Sequence, residues 1–134
     1  MTLVDTNVLL DLVTDDPKWA DWSIARLEAA SLAGPLLIND VVYAELSVRY
    51  ERIEDLDAFL DEAGLERVAM PRAALFLAGK VFAHYRKAGG SRTGVLPDFF
   101  IGAHAAVEGL SLLTRDIGRY RTYFPSLTLI APEP

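Results

Sequence analysis

Residues 1–13 read MTLVDTNVLLDLV. The apolar pair Leu3-Val4 runs into three polar residues, Asp5-Thr6-Asn7, and apolar character resumes at Val8. A strand with one wet face alternates polar and apolar residues; this one does not, so it reads as a strand buried on both faces that stops at an acid. Similar short apolar runs recur in GPLLIND (34–40), LERVAM (65–70), LSLLTRD (110–116) and LTLIAP (127–132). Between them lie helical patterns over 8–14, 17–33, 41–52, 56–63, 72–87 and 98–108. Asp16-Pro17 has the form of a helix opening, and Asn39 or Asp40 can cap the next helix. Strands alternating with helices imply right-handed crossovers and an α/β fold: a mainly parallel five-stranded sheet covered on both faces.

The chain of 134 residues is expected to form one domain over 1–134; with 51% hydrophobic and 24% charged residues it is globular in composition. No apolar stretch approaches the ~20 residues that cross a bilayer. The amino terminus also lacks the basic and small-residue features of a signal peptide, so a soluble, cytoplasmic protein without membrane contact is expected. There is no cysteine and there are two histidines, His84 and His104. Thiolate chemistry is excluded, a zinc site is disfavoured, and any metal would be held by oxygen.

Charge is divided along the chain. Residues 1–66 carry fifteen acids and four Lys/Arg, a balance of −11, whereas 67–134 carry four acids and nine bases, a balance of +5. Lys80, Arg86, Lys87 and Arg92 bracket the glycine-rich stretch KAGGSRTGV, which suits either a solvated helix face beside a mobile loop or a track for a polyanion.

Four acids stand in unusual places. In open parallel sheets, sites form beyond the carboxyl ends of strands. Asp5 follows the first strand and Asp116 the fourth. Each also has a purely structural reading as a helix cap. Glu45 shares a helix stripe with Val41 and Val48, with an i, i+4 pair to Arg49 as its plain alternative. Asp98 opens an otherwise apolar helix after Pro97, where it could simply face the helix dipole. Together these carboxylates would repel one another, and a divalent cation would keep them ionised.

The segments VDTNVLLDL, NDVVYAEL, LPDFFIGAHA and LLTRDIGRYRTYFPSLTLIAP resemble, in order and over essentially the whole chain, the motifs of PIN-domain ribonucleases, specifically VapC-type toxins. The resemblance implies a three-layer α/β/α sandwich. It implies an acidic metal-binding quartet of Asp5, Glu45, Asp98 and Asp116, with Asp5 and Asp98 as direct ligands and Asn7 and Thr114 in support. It further implies an RNA substrate, a VapB-type antitoxin, a homodimer and a toxin–antitoxin hetero-oligomer, with the early helices around Trp19 and Trp22 forming the dimer surface and the antitoxin groove. The 89–97 loop varies in the family, so no role carries over to Arg92.

Magnesium or manganese, hard cations that take carboxylate and water oxygens, suit such a site. Metal-activated water would leave a 5′-phosphate and a 3′-hydroxyl. Lys80, Arg86 and Lys87 are the candidate RNA contacts. His104, six residues after Asp98, lies about 240° around the helix from it and is expected to be structural. Core packing is the default for both tryptophans. A dehalogenase-type phosphatase is disfavoured because the position two after Asp5 is Asn7. The remaining rival is a PIN-like binding module without catalysis. An inhibitory partner would place a cation in the acidic cluster.

Overall fold

The computed structural model describes residues 1–92 and 94–133. Five short strands, β1 (Thr2–Val4), β2 (Leu36–Ile38), β3 (Leu65–Arg67), β4 (Ser111–Leu113) and β5 (Leu129–Ile130), form one sheet in the order β3-β2-β1-β4-β5. Every pairing is parallel, with Leu3 opposite both Leu37 and Leu112. Leu3, Val4, Ile38, Leu112 and Leu113 are fully buried, as strands sandwiched between helices must be. The helices are α1 (Thr6–Val13), α2 (Ala20–Ala33), α3 (Asp40–Ser47), α4 (Ile53–Glu62), α5 (Arg72–Lys87), α6 (Leu96–Glu108) and α7 (Ile117–Tyr123). From β1 the chain steps one way across the sheet to β2 and β3, then returns past β1 to β4 and β5. Right-handed crossovers therefore put α1–α4 on one face and α5–α7 on the other. β1 and β4, adjacent in space, flank the point where the direction reverses.

The elements depart from expectation in three places. Asp16 does cap, its Oδ1 accepting the amides of Lys18 (2.8 Å) and Trp19 (2.9 Å), but those residues form turns and α2 starts at Ala20. Helix α3 ends at Ser47, five residues short of the expected limit. Helix α7 has no counterpart among the helical patterns read from the sequence, although the capping reading of Asp116 allowed one; its sequence, IGRYRTY, spans only two turns. It is anchored by Tyr120, 1% exposed, and by Phe124 just beyond it. A Cβ on Gly102 would lie 2.5 Å from the Phe124 ring, so α6 must carry glycine where this segment crosses it. The glycine-rich loop expected over 89–97 is shortened by α6, which begins at Leu96, and it includes Thr93, which lies outside the described residues; before it, the Arg92 amide donates to the Tyr85 hydroxyl at 3.0 Å.

Two polar ties hold α1, α3 and α6 in place. Asn39 caps α3 through Oδ1, accepting the Val42 amide at 3.0 Å, and its Nδ2 donates to Nδ1 of His104 on α6 at 3.2 Å. Burial lowers the pKa of His104, which favours the neutral ring that this bond requires. His104 is thus structural, 2% exposed and committed to a helix cap. On the other side, buried Asp11 of α1 takes a two-pronged bond from Arg115 (2.7 and 2.9 Å) and the Ser23 hydroxyl of α2 (2.7 Å).

Candidate metal centre

Asp5 is the last β1-like residue and the cap of α1. Its amide completes the ladder to Leu113 O (2.9 Å), while its Oδ1 accepts the Thr6 amide at 2.7 Å. The capping reading is therefore realised, by one oxygen. The other oxygen faces the crevice between β1 and β4. There Oδ2 accepts the Thr114 hydroxyl (2.7 Å) and the Tyr120 hydroxyl (3.1 Å), with Asn7 Nδ2 at 3.4 Å. Asp5 is 4% exposed, and burial raises its pKa to about 6 despite those donors, with the charge of Asp98 adding to the rise.

Thr114 and Asn7 knit the two strand ends together. The Thr114 hydroxyl accepts the Asp116 amide at 3.0 Å, and Asn7 Oδ1 accepts the Arg115 amide at 3.2 Å. Asp116 heads α7 without capping it. Glu45 reaches the same rim from α3, its Oε1 accepting the Thr6 hydroxyl at 2.7 Å. That bond replaces the alternative pair with Arg49, which does not occur.

Asp98 enters from the first turn of α6. Burial raises its pKa, Arg119 pulls it back, and the charges of Glu45 and Asp116 raise it further. Asp98 is thus within electrostatic reach of each of the other three acids, which come from separate elements. Arg119 of α7 stands among them, its Nη1 donating to Asp98 Oδ2 and lying 3.7 Å from Asp116 Oδ2.

The donor set suits a hard cation: carboxylates and hydroxyls line the rim, and the nearer histidine is locked to Asn39. The arrangement is nevertheless open. Among the described residues no three Asp, Glu or His side chains converge closely enough to cage an ion as they stand.

Three residues at this rim were not anticipated. Arg119 and Tyr120 lie on the unexpected α7, and Arg115 braces the loop before Asp116 through Asp11. A sequence signal existed only for Tyr120, since a buried tyrosine needs a partner for its hydroxyl. Trp19 is not in the core; its ring lies 5.0 Å from the Arg115 guanidinium and edge-on to Trp22.

Lys80, Arg86 and Lys87 are exposed on α5. Lys80 and His84 line an open cleft of about 500 Å³ against Thr122 and Tyr123, and Arg86 lies over the Phe82 ring. Lys80, His84 and Lys87 share one helical stripe, while Arg86 lies off it.

The family model for PIN domains matches residues 2–125. The chain belongs to the PIN-domain family. Solved structures with the same fold include VapBC2 from Rickettsia felis bound to a promoter DNA fragment, at 21% identity and TM-score 0.75 over 98% of each chain. DNA-bound VapBC from Salmonella typhimurium is 18% identical, TM-score 0.70, over 97% of this chain and 96% of that one. FitAcB from Neisseria gonorrhoeae is 17% identical, TM-score 0.68, with the same coverage. No curated protein matches the chain. Among the described residues of this PIN domain no helix is long and apolar enough to cross a membrane.

Proposed function

We propose that this PIN domain is a divalent-metal-dependent ribonuclease acting as a VapC-type toxin. The observation that carries the reading is the placement of Asp5 and Asp116 just beyond the ends of the adjacent strands β1 and β4, where open parallel sheets build their sites, with Glu45 tied to Thr6 and with Asp98 within electrostatic reach of the other three acids. These four carboxylates would hold magnesium or manganese, which supplies an activated water and neutralises charge on the scissile phosphate. Thr114 and Tyr120 fix the rotamer of Asp5, Thr6 fixes Glu45, and the Arg115–Asp11 bond holds the loop that presents Asp116. No side-chain nucleophile is needed, so the products would carry a 5′-phosphate and a 3′-hydroxyl. The basic stripe on α5 would follow the RNA backbone.

A VapB-type antitoxin is the proposed partner, in a hetero-oligomer built on a toxin homodimer. Relatives of the same fold were solved as VapBC complexes. In this chain a groove between α1, α2 and α4, lined by Leu12, Ile24, Leu27 and Ala63 with Glu28, Ser31 and Glu62 along it, suits an amphipathic helix. Ile24 and Leu32 on α2 are exposed beside it.

The test is direct. The purified chain should cleave structured RNA with Mg²⁺ or Mn²⁺ and stop on chelation, and cells should tolerate it only when the adjacent gene product is co-expressed. Metal-independent inertness toward every RNA offered, with retained RNA binding, would instead favour a non-catalytic PIN-like module.

A further inference from the structure

Arg119 places a positive charge of the chain's own inside the acidic rim. Its guanidinium is bonded to Asp98 and lies 3.7 Å from Asp116, and its side chain is 23% exposed, as is that of Asp98. Neighbouring Tyr120 is tied to Asp5, so two successive residues of α7 address three of the four acids. A guanidinium and a divalent ion use the same carboxylate lone pairs, and two cations in one half-buried rim repel. The acids around Arg119 also do not yet converge into an ion cage.

We propose that Arg119 is a resident counter-cation that competes with the divalent metal for Asp98 and Asp116, so that metal entry requires the guanidinium to leave. The inference rests on the metal-dependent reading of the site. It assigns to the chain itself part of the inhibition that an antitoxin cation would otherwise supply alone. Apparent metal affinity is then the intrinsic affinity reduced by the fraction of molecules in which Arg119 is out. If that fraction is about one in ten, removing the charge tightens binding about tenfold.

The experiment is calorimetric titration of MnCl₂ into the purified wild type, R119Q and R121Q, the last removing an exposed charge from the same helix. R119Q should bind Mn²⁺ about tenfold more tightly and gain more in melting temperature from the ion than the wild type, with R121Q unchanged. Equal or weaker binding by R119Q overturns the proposal, and an equal gain in R121Q overturns it in favour of net charge. If neither wild type nor R119Q binds Mn²⁺ at millimolar concentration, the metal reading itself falls and takes this inference with it. A structure of the Mg²⁺-saturated wild type gives a check independent of how R119Q folds: Arg119 should stand clear of Asp98, and a retained bond would refute displacement.

Discussion

The Thr114 hydroxyl donates to Asp5 Oδ2 across 2.7 Å, joining strand ends 109 residues apart. It is also the acceptor for the Asp116 amide, so one hydroxyl serves two of the four acids. Thr114→Val keeps the shape and deletes both bonds. Leaving buried polar groups unpaired costs on the order of 1–3 kcal/mol, and because the Thr114 bond lowers the pKa of Asp5, that carboxyl should titrate above its wild-type value of about 6. Denaturant unfolding and a carbon-detected NMR titration of Asp5 read the two effects. A carboxyl that titrates at or below its wild-type value would dissociate Thr114 from Asp5.

Asp5 itself gives a pH signature. Its folded pKa, about 6, exceeds the ordinary aspartate value of 3.8. Between these values the folded chain holds more protons than the unfolded one, so the contribution present below pH 4 is lost as pH rises through 6. Two units correspond to ~3 kcal/mol at most. In chelator, Asp5→Asn should therefore gain stability over the wild type progressively from pH 4 to 7. A difference that stays flat across this range would show that burial does not hold the proton.

Activity should separate rim acids from surface acids. Asp5→Asn and Asp98→Asn should each lower RNA cleavage at least ~100-fold, the scale of losing an electrostatic catalytic element, while Asp61→Asn and Glu108→Gln should leave it near wild type. Equal losses in the two pairs would dissolve the assignment.

The Asp11–Arg115 bond predicts non-additivity. Arg115→Met leaves the 2%-exposed Asp11 with only Ser23, and breaking a buried pair costs about 3–5 kcal/mol, toward the lower end here because Arg115 is a quarter exposed. Replacing both, Asp11→Leu with Arg115→Met, should recover much of that loss in a double-mutant cycle. Additive losses would mean the two side chains act separately.

For the α5 stripe, Lys80→Ala with Lys87→Ala should reduce the salt slope of RNA affinity by ~0.7 per lost phosphate contact. An unchanged slope, measured by filter binding across salt concentrations, would return these lysines to the role of a solvated face.

The sheet was legible because each strand is a short apolar run, and burial of the run dictates where the chain must turn polar, which puts Asp5 and Asp116 beyond the ends of β1 and β4. Asn39 was legible as a cap for the same reason. Helix α7 was not. Its seven residues, among them a glycine, two tyrosines and two arginines, are too few to show a clear period, and it is held by tertiary contacts of Tyr120 and Phe124 rather than by propensity. With α7 hidden, Arg119 and Tyr120 were hidden too. Nothing in the sequence singles out Asp11, because its partner, Arg115, lies 104 residues away. Trp19 read as core because a flat ring over a guanidinium leaves no trace in local sequence.

The strand order has a consequence during synthesis. β1 gains β2 as a neighbour early, but its other edge stays open until β4 emerges from the ribosome, and Asp5 meets Thr114 and Tyr120 only then. Such distant pairings form late because the intervening loop must close first. A nascent chain that has exposed Asp5, Glu45 and even Asp98 still lacks Asp116 and the residues that orient Asp5, so the acidic rim is assembled only after β4 and α7 have been made. Ordering of the rim is thus a late event, coupled to closure of the sheet on its β4 side.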